Sequence, residues 1–206
     1  MMKTVSGFLT SAAMMLALAV GGVGPALAQS KPDSEALIDA IEEQRANDAI
    51  GLINKRGRAI VNIRGYAGST PLIVAMRKRA PLYVNFLLQN GASPDLGDKQ
   101  GDTSLIVAAR LGYLEGITSM LAARASVDAA NRQGETALIV AVQGRHVQLV
   151  RRLLEAGASA TKTDNASGLS ARDYAVRDRR SGELLRLIDG ARPKPRPVFV
   201  AGPVIE

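Results

Sequence analysis

Apolar positions along the chain fall in short clusters that return at a fixed interval. The stretch TPLIVAM, Thr70 to Met76, comes back as TSLIVAA at Thr103 and as TALIVAV at Thr136, 33 residues apart. Each copy is followed by a second apolar group: Val84 with Leu87-Leu88, Ile117 with Met120-Leu121, and Val150 with Leu153-Leu154. Looser copies flank these three. Ala40-Ile41 with Ala49 and Leu52-Ile53 precede them, and Ala175-Val176 with Leu184 and Leu187-Ile188 follow. Within one unit Leu105, Ile106, Ala108 and Ala109 have the spacing of one helix face, as do Ile117, Met120 and Leu121. The pattern predicts five units, each of two short amphipathic helices. A single closed core needs no such metre, whereas a surface that docks on a copy of itself does.

Polar residues punctuate the units where helices would begin and end. Thr70, Thr103, Thr136 and Ser170 stand where an N-cap hydroxyl accepts a free backbone amide hydrogen. Pro71 follows at the first helical position, where a missing N–H costs nothing, and Ser170 with Asp173 approximates a capping box. Gly91 and Gly157 close second helices in the place of a left-handed residue. Arg124 occupies the same place in its unit, where a positive φ would cost roughly 1 kcal/mol. Polar turns follow at 98–102 (DKQGD) and 131–135 (NRQGE), with Gly101 and Gly134 as hinges. The connection NKRGRAIVNIRGYAGS, between the first two units, is two residues longer than its counterparts and is expected to protrude.

A 33-residue period, T-x-L-x-x-A, a G-H pair partly kept as Arg145-His146, V-x-x-L-L and G-A together resemble the ankyrin repeat. The resemblance covers about residues 35–190. It implies an all-α solenoid of about five helix-turn-helix units with hairpin-like loops projecting at right angles. The domain would span residues 29–190, with units at 35–66, 67–98, 99–131, 132–164 and 165–190. Three departures are clear: Ile73, Ile106 and Ile139 stand where the family often has histidine. Asp39, Glu42, Glu43 and Asp48 in the first unit, and Arg172, Asp173 and Arg177 to Arg180 in the last, read as solvated caps.

Composition narrows the chemistry. Of 206 residues 47% are hydrophobic, yet there is no Trp and there are only three Phe and four Tyr, so the core is aliphatic and suits closely stacked helices. With no cysteine there is no disulfide or thiolate site, and one histidine, His146, gives a zinc cluster or a catalytic triad nothing to build on. No G-x-S-x-G, P-loop or H-E-x-x-H occurs. No catalytic residue, cofactor or metal ligand is therefore expected. Asp95, Asp128 and Asp164 recur near the hairpin tips, where turn stabilisation is the preferred reading over calcium binding. His146 reads as a turn residue rather than a ligand.

The ends are different material. Lys3, the apolar run Phe8 to Val20 and Ala26-Leu27-Ala28 predict a signal peptide over residues 1–28, cleaved before Gln29. An uncleaved span from Val5 to Ala28 is the rival reading. Removing 28 of 206 residues, and the charge of Lys3 from the total of +7, leaves 178 residues at +6. The expected product is a monomer in the periplasm or secreted, without an integral membrane segment. Residues 191–206, ARPKPRPVFVAGPVIE, form a Pro-rich tail, a linker or strap in the plain reading and a docking motif in the other.

A sequence pI near 10 raises nucleic acid as a partner. No basic strand interleaved with aromatics and no recognition helix accompanies it, so nucleic acid is not expected. The family resemblance implies contacts at the hairpin tips and at the concave ends of the first helices. Carried over by alignment, these are Arg77, Lys78, Arg110 and Arg177, with Tyr66, Lys99 and Arg132 at the tips. A merely solvated helix face is the competing reading. The expected function is a non-enzymatic module that binds a protein partner, an acidic one. The alternative is an envelope-associated structural protein held by its basic charge to anionic polymers or a membrane surface.

Overall fold

The computed structural model describes residues 32–178 and 180–191; the expected signal peptide at 1–28 and the Pro-rich tail from residue 192 onwards lie outside the described residues. Among the described residues ten α-helices follow one another as five pairs: α1 (Asp33–Glu42) with α2 (Ala46–Arg56), α3 (Pro71–Arg77) with α4 (Pro81–Gln89), and α5 (Ser104–Arg110) with α6 (Leu114–Ala122). The remaining pairs are α7 (Ala137–Gln143) with α8 (Val147–Glu155), and α9 (Ala171–Arg177) with α10 (Gly182–Gly190). The first helices pack in series from α1 to α9, and the second helices from α4 to α10. Among the described residues there is no strand; two isolated antiparallel bridges, Ala130 with Thr136 and Thr163 with Ser170, mark the loops as hairpins.

Local chemistry sets the helix ends. The hydroxyls of Thr70, Thr103 and Thr136 accept from the amides of Ile73, Ile106 and Ile139 at 3.3, 3.4 and 3.3 Å, and Ser170 with Asp173 completes a reciprocal capping box. Such caps each contribute about 1 kcal/mol. Gly91 and Gly157 take φ of 85° and 90° after α4 and α8, and Arg124 takes 59° after α6, as its place predicts. In the first four pairs the turn between the helices also holds a left-handed residue, supplied by Gln44, Arg79, Gly112 and Arg145 with φ between 50° and 64°. That requirement was not legible, because only Gly112 announces it.

Packing explains the repetition. Leu72, Leu105 and Leu138 are each the second residue of a seven-residue helix, and all are buried; so are the third residues, Ile73, Ile106 and Ile139. An isoleucine in place of histidine thus fills the seam between units. Val84 with Leu87, Ile117 with Met120, and Val150 with Leu153 close the seam from the second helices.

Two expectations are corrected. The α10 helix begins 35 residues after α8, so Ile188 rather than Leu187 takes the place of buried Leu153, and Leu187 takes that of exposed Arg152. The long first connection does not simply protrude: its extra length forms a 3-10 turn, Arg58–Asn62, that buries Ile60 and Val61.

Candidate partner-binding surface

Three hairpins are shaped by one device. Asp98 Oδ1 accepts from the amides of Gln100 and Asp102, Asn131 Oδ1 from those of Gln133 and Glu135, and Asp164 Oδ1 from those of Ser167 and Gly168. Neighbouring hairpins are joined by main-chain bonds, Arg132 N to Gln100 O at 3.0 Å and Asn165 N to Gln133 O at 2.7 Å. The tips therefore form one continuous ledge.

Asp95 and Asp128 belong to a different register from Asp164. They accept from the amides of Ser126 and Ser159 in the following unit, both at 2.8 Å, as Asn62 does from Ser93. All three aspartates serve the loops, two of them between units. His146 is the residue before α8, and its ring lies against Gly112 and Gly144, where an added Cβ would come within 2.7 and 2.6 Å.

Arg77, Arg110, Gln143 and Arg177 each end a seven-residue helix, so the stack sets them in one row. The row is not uniformly available. Arg77 donates to Ser69 Oγ at 2.9 Å and to Asp98 Oδ2 at 2.7 Å, and that carboxylate is buried. Arg110 donates to Asp102 and Glu135 at 3.2 and 3.1 Å. Both arginines tie a helix end to a hairpin instead of standing as solvated charges. Lys78 and Arg177 are exposed and have no ion pair or side-chain hydrogen bond among the described residues.

At the tips, Tyr66 is 70% exposed while its backbone is held at both ends. Its amide donates to Glu35 Oε2 at 2.9 Å, and its carbonyl accepts from Lys99 Nζ at 3.0 Å. Arg132 is exposed, and its carbonyl accepts from Asn165 Nδ2 at 3.3 Å. Beside Tyr66 a cleft of about 320 Å³ runs between α1 and α3, with Glu35, Asp39 and Glu42 on one wall and Arg77 and Lys78 on the other. Reading α1 as a solvated cap missed this acidic wall. The available signal was alignment, since Asp39 and Glu42 stand 35 residues before Val74 and Arg77.

At the other end, a hydrogen bond from the Tyr174 hydroxyl, reinforced by backbone amides, holds the Asp164 carboxyl below its usual range. Asp178 is pushed down to about 2, first by the Ser181 hydroxyl and then by the Arg145 guanidinium. Both are structural acceptors. Among the described residues no group of three His, Cys, Asp or Glu side chains is placed to hold a metal ion. No helix among them is long and apolar enough to cross a membrane. The arrangement offers recognition: a rigid ledge, an aromatic tip and a cleft of mixed charge.

A family model described as Ankyrin repeats (3 copies) matches residues 37–131, 82–164 and 105–195. No curated protein matches the chain.

Proposed function

The chain belongs to the ankyrin-repeat family, whose repeats generally mediate protein–protein interaction, and we propose that it is a non-enzymatic scaffold holding one protein partner along its concave face and hairpin tips. The observation that carries this reading is Tyr66: a large amphipathic ring, 70% exposed, on a backbone fixed by Glu35 and Lys99. A preorganised aromatic loses little entropy on binding and suits an anchor. Lys78, Arg132 and Arg177, spread along the stack from the second unit to the last, supply cations for an acidic partner, adding association rate more than affinity. With residues 1–28 read as a signal peptide, the scaffold works as a monomer in the periplasm or outside the cell.

Capture from an envelope fraction at moderate salt tests this. One stoichiometric partner that survives the salt supports the scaffold; a protein that washes off with no single partner supports attachment to anionic polymers or membrane by charge. With the partner in hand, Tyr66→Ala should speed dissociation, and Lys78→Glu with Arg177→Glu should slow association and flatten its salt dependence. Unaltered kinetics in both variants would move the binding surface elsewhere. Arg77 and Arg110 are unsuitable for this test, because reversing either sets a carboxylate against Asp98 or against Asp102 and Glu135 and disturbs the fold.

A further inference from the structure

We propose a second binding site on the outer face: the groove between α8 and α10, which accepts an acidic, partly apolar segment of a protein partner. The groove has a volume of about 360 Å³ and is lined by Arg151, Leu154 and Glu155 from one helix and by Arg186, Leu187 and Gly190 from the other, with Ala191 beyond. Arg151 and Arg186 are each the fifth residue of a nine-residue helix, so packing of α8 on α10 sets them on adjacent rungs of one column. The fifth residues of α4 and α6 are Asn85 and Thr118, so this column is charged only at its end.

The two guanidiniums outnumber the single carboxylate of the groove, Glu155, which is paired with Arg152 at 3.5 Å. Both guanidiniums are exposed, and neither makes an ion pair or side-chain hydrogen bond among the described residues. By contrast Arg77, Arg110, Arg145, Arg152 and Arg172 each hold a carboxylate. Adjacent packed helices lie about 8–10 Å apart, within about one Debye length, so the two like charges repel and a carboxylate lying between them is attracted by both. Half-buried Leu154 and Leu187 give the groove an apolar floor, and no atom of the described residues lies within 4 Å of a Cβ built on Gly190.

Charge also selects the occupant. Beyond Ala191 the sequence carries three cationic side chains, Arg192, Lys194 and Arg196, against one acidic one, Glu206, a balance of the same sign as the groove. On this balance of charge the occupant that the groove favours is an anionic segment of another protein. An extended peptide with acidic and apolar side chains alternating satisfies both the guanidiniums and the leucines, since alternate side chains of an extended segment point to opposite sides and let one edge pair with charge.

The purified full chain can be titrated into a fluorescein-labelled, end-blocked peptide of alternating glutamate and leucine, followed by fluorescence anisotropy. Arg151→Glu with Arg186→Glu should weaken binding at least tenfold, while the double lysine variant retains most of it. Leu187→Ser should weaken binding by an amount that added salt does not change. Lys78→Glu with Arg177→Glu, on the concave face, should leave it unaltered. Because all of these residues lie at the surface, an unchanged circular dichroism spectrum establishes that each variant is folded. Four results would overturn the proposal. The first is unchanged binding by the reversed groove, and the second is equal loss in the concave-face variant. The third is equal affinity for oligoglutamate of the same charge, which would mean attraction without a site. The fourth is tighter binding to vesicles of anionic phospholipid, or concentration-dependent self-association abolished by the same reversal, which would assign the groove to a membrane or to a second copy.

Discussion

Arg172 and Asp189 close the last unit with a two-point ion pair, at 2.7 and 3.2 Å, in the places that Leu138 and Leu154 hold one unit earlier. In the interior, Leu138 is buried where the next unit docks. At the end of the stack the same position meets water, and the pair spans α9 and α10 instead. The first unit has its own version, Arg56 to Asp33 at 2.9 Å, joining the end of α2 to the start of α1. Terminal units of a solenoid need a polar outer face to prevent further stacking.

Replacing both members, Arg172→Leu with Asp189→Leu, should therefore convert the cap into a docking face. Val176, already 53% exposed where Val142 is buried, would join the new leucines in one apolar patch. An exposed pair is worth about 0–1 kcal/mol, so stability should change little. Sedimentation should show mass rising with protein concentration. A monomer at every concentration would mean that something other than this pair keeps the end unstacked.

Arg124 offers a test of backbone strain with no side-chain partner to complicate it. Its φ of 59° is the conformation that Gly91 and Gly157 adopt at the same place, and a non-glycine residue is disfavoured there by roughly 1 kcal/mol. Arg124→Gly should raise the urea midpoint by a corresponding amount, less the entropy that glycine adds to the unfolded chain. Arg145→Gly, at φ 55°, should gain less or lose, because Arg145 also holds Asp178 at 2.6 Å. Equal gains at the two sites would mean that the ion pair contributes nothing.

Much of the fold could be read because each of its parts is local. The N-cap hydroxyls, the glycines after second helices and the apolar faces all act within a few residues of their own position. The left-handed turns at Gln44, Arg79 and Arg145 could not be read, since those side chains carry no mark of the conformation the stack imposes on them. The surface was legible only as a row of positions. Whether Arg77 is free or tied depends on Asp98, 21 residues away, whose burial comes from the shape of the hairpin and not from its own neighbourhood. The slip at Leu187 has the same origin: one extra residue between the helices of the last unit moves α10 without changing its composition.

Core substitutions should therefore grade by position in the stack. Leu153 is fully buried between α10 and α6, and Leu153→Ala should cost about 2–5 kcal/mol. Ile188 is 5% exposed and has a neighbouring unit on one side only, so Ile188→Ala should cost less. Leu187→Ala, on the outer face, should cost least, about 0.5 kcal/mol or below. Chemical denaturation of the three variants checks the order. A large loss at Leu187 would restore the alignment that set it on the core.

Acid should act on the joint between the last two units. Asp178 follows α9, and its carboxylate accepts from Ser181 Oγ and from Arg145 Nε, both at 2.6 Å, and from Arg145 Nη2 at 3.0 Å. These contacts favour the ionised form and hold its pKa at about 2, against about 3.9 for an unfolded aspartate. The folded state then binds fewer protons than the unfolded state, so stability rises with pH through this window. The contribution is complete above about pH 4 and is lost as the pH falls through about 2. Asp178→Asn should be less stable than the parent at pH 7, and the gap in urea midpoint should narrow between pH 4 and pH 2. Part of the gap should also yield to salt at pH 7, because Arg145 is exposed and its share of the interaction is screened. A gap that stays constant down to pH 2 would show that the amide disrupts packing at this joint, and that the charge on Asp178 does not stabilise it.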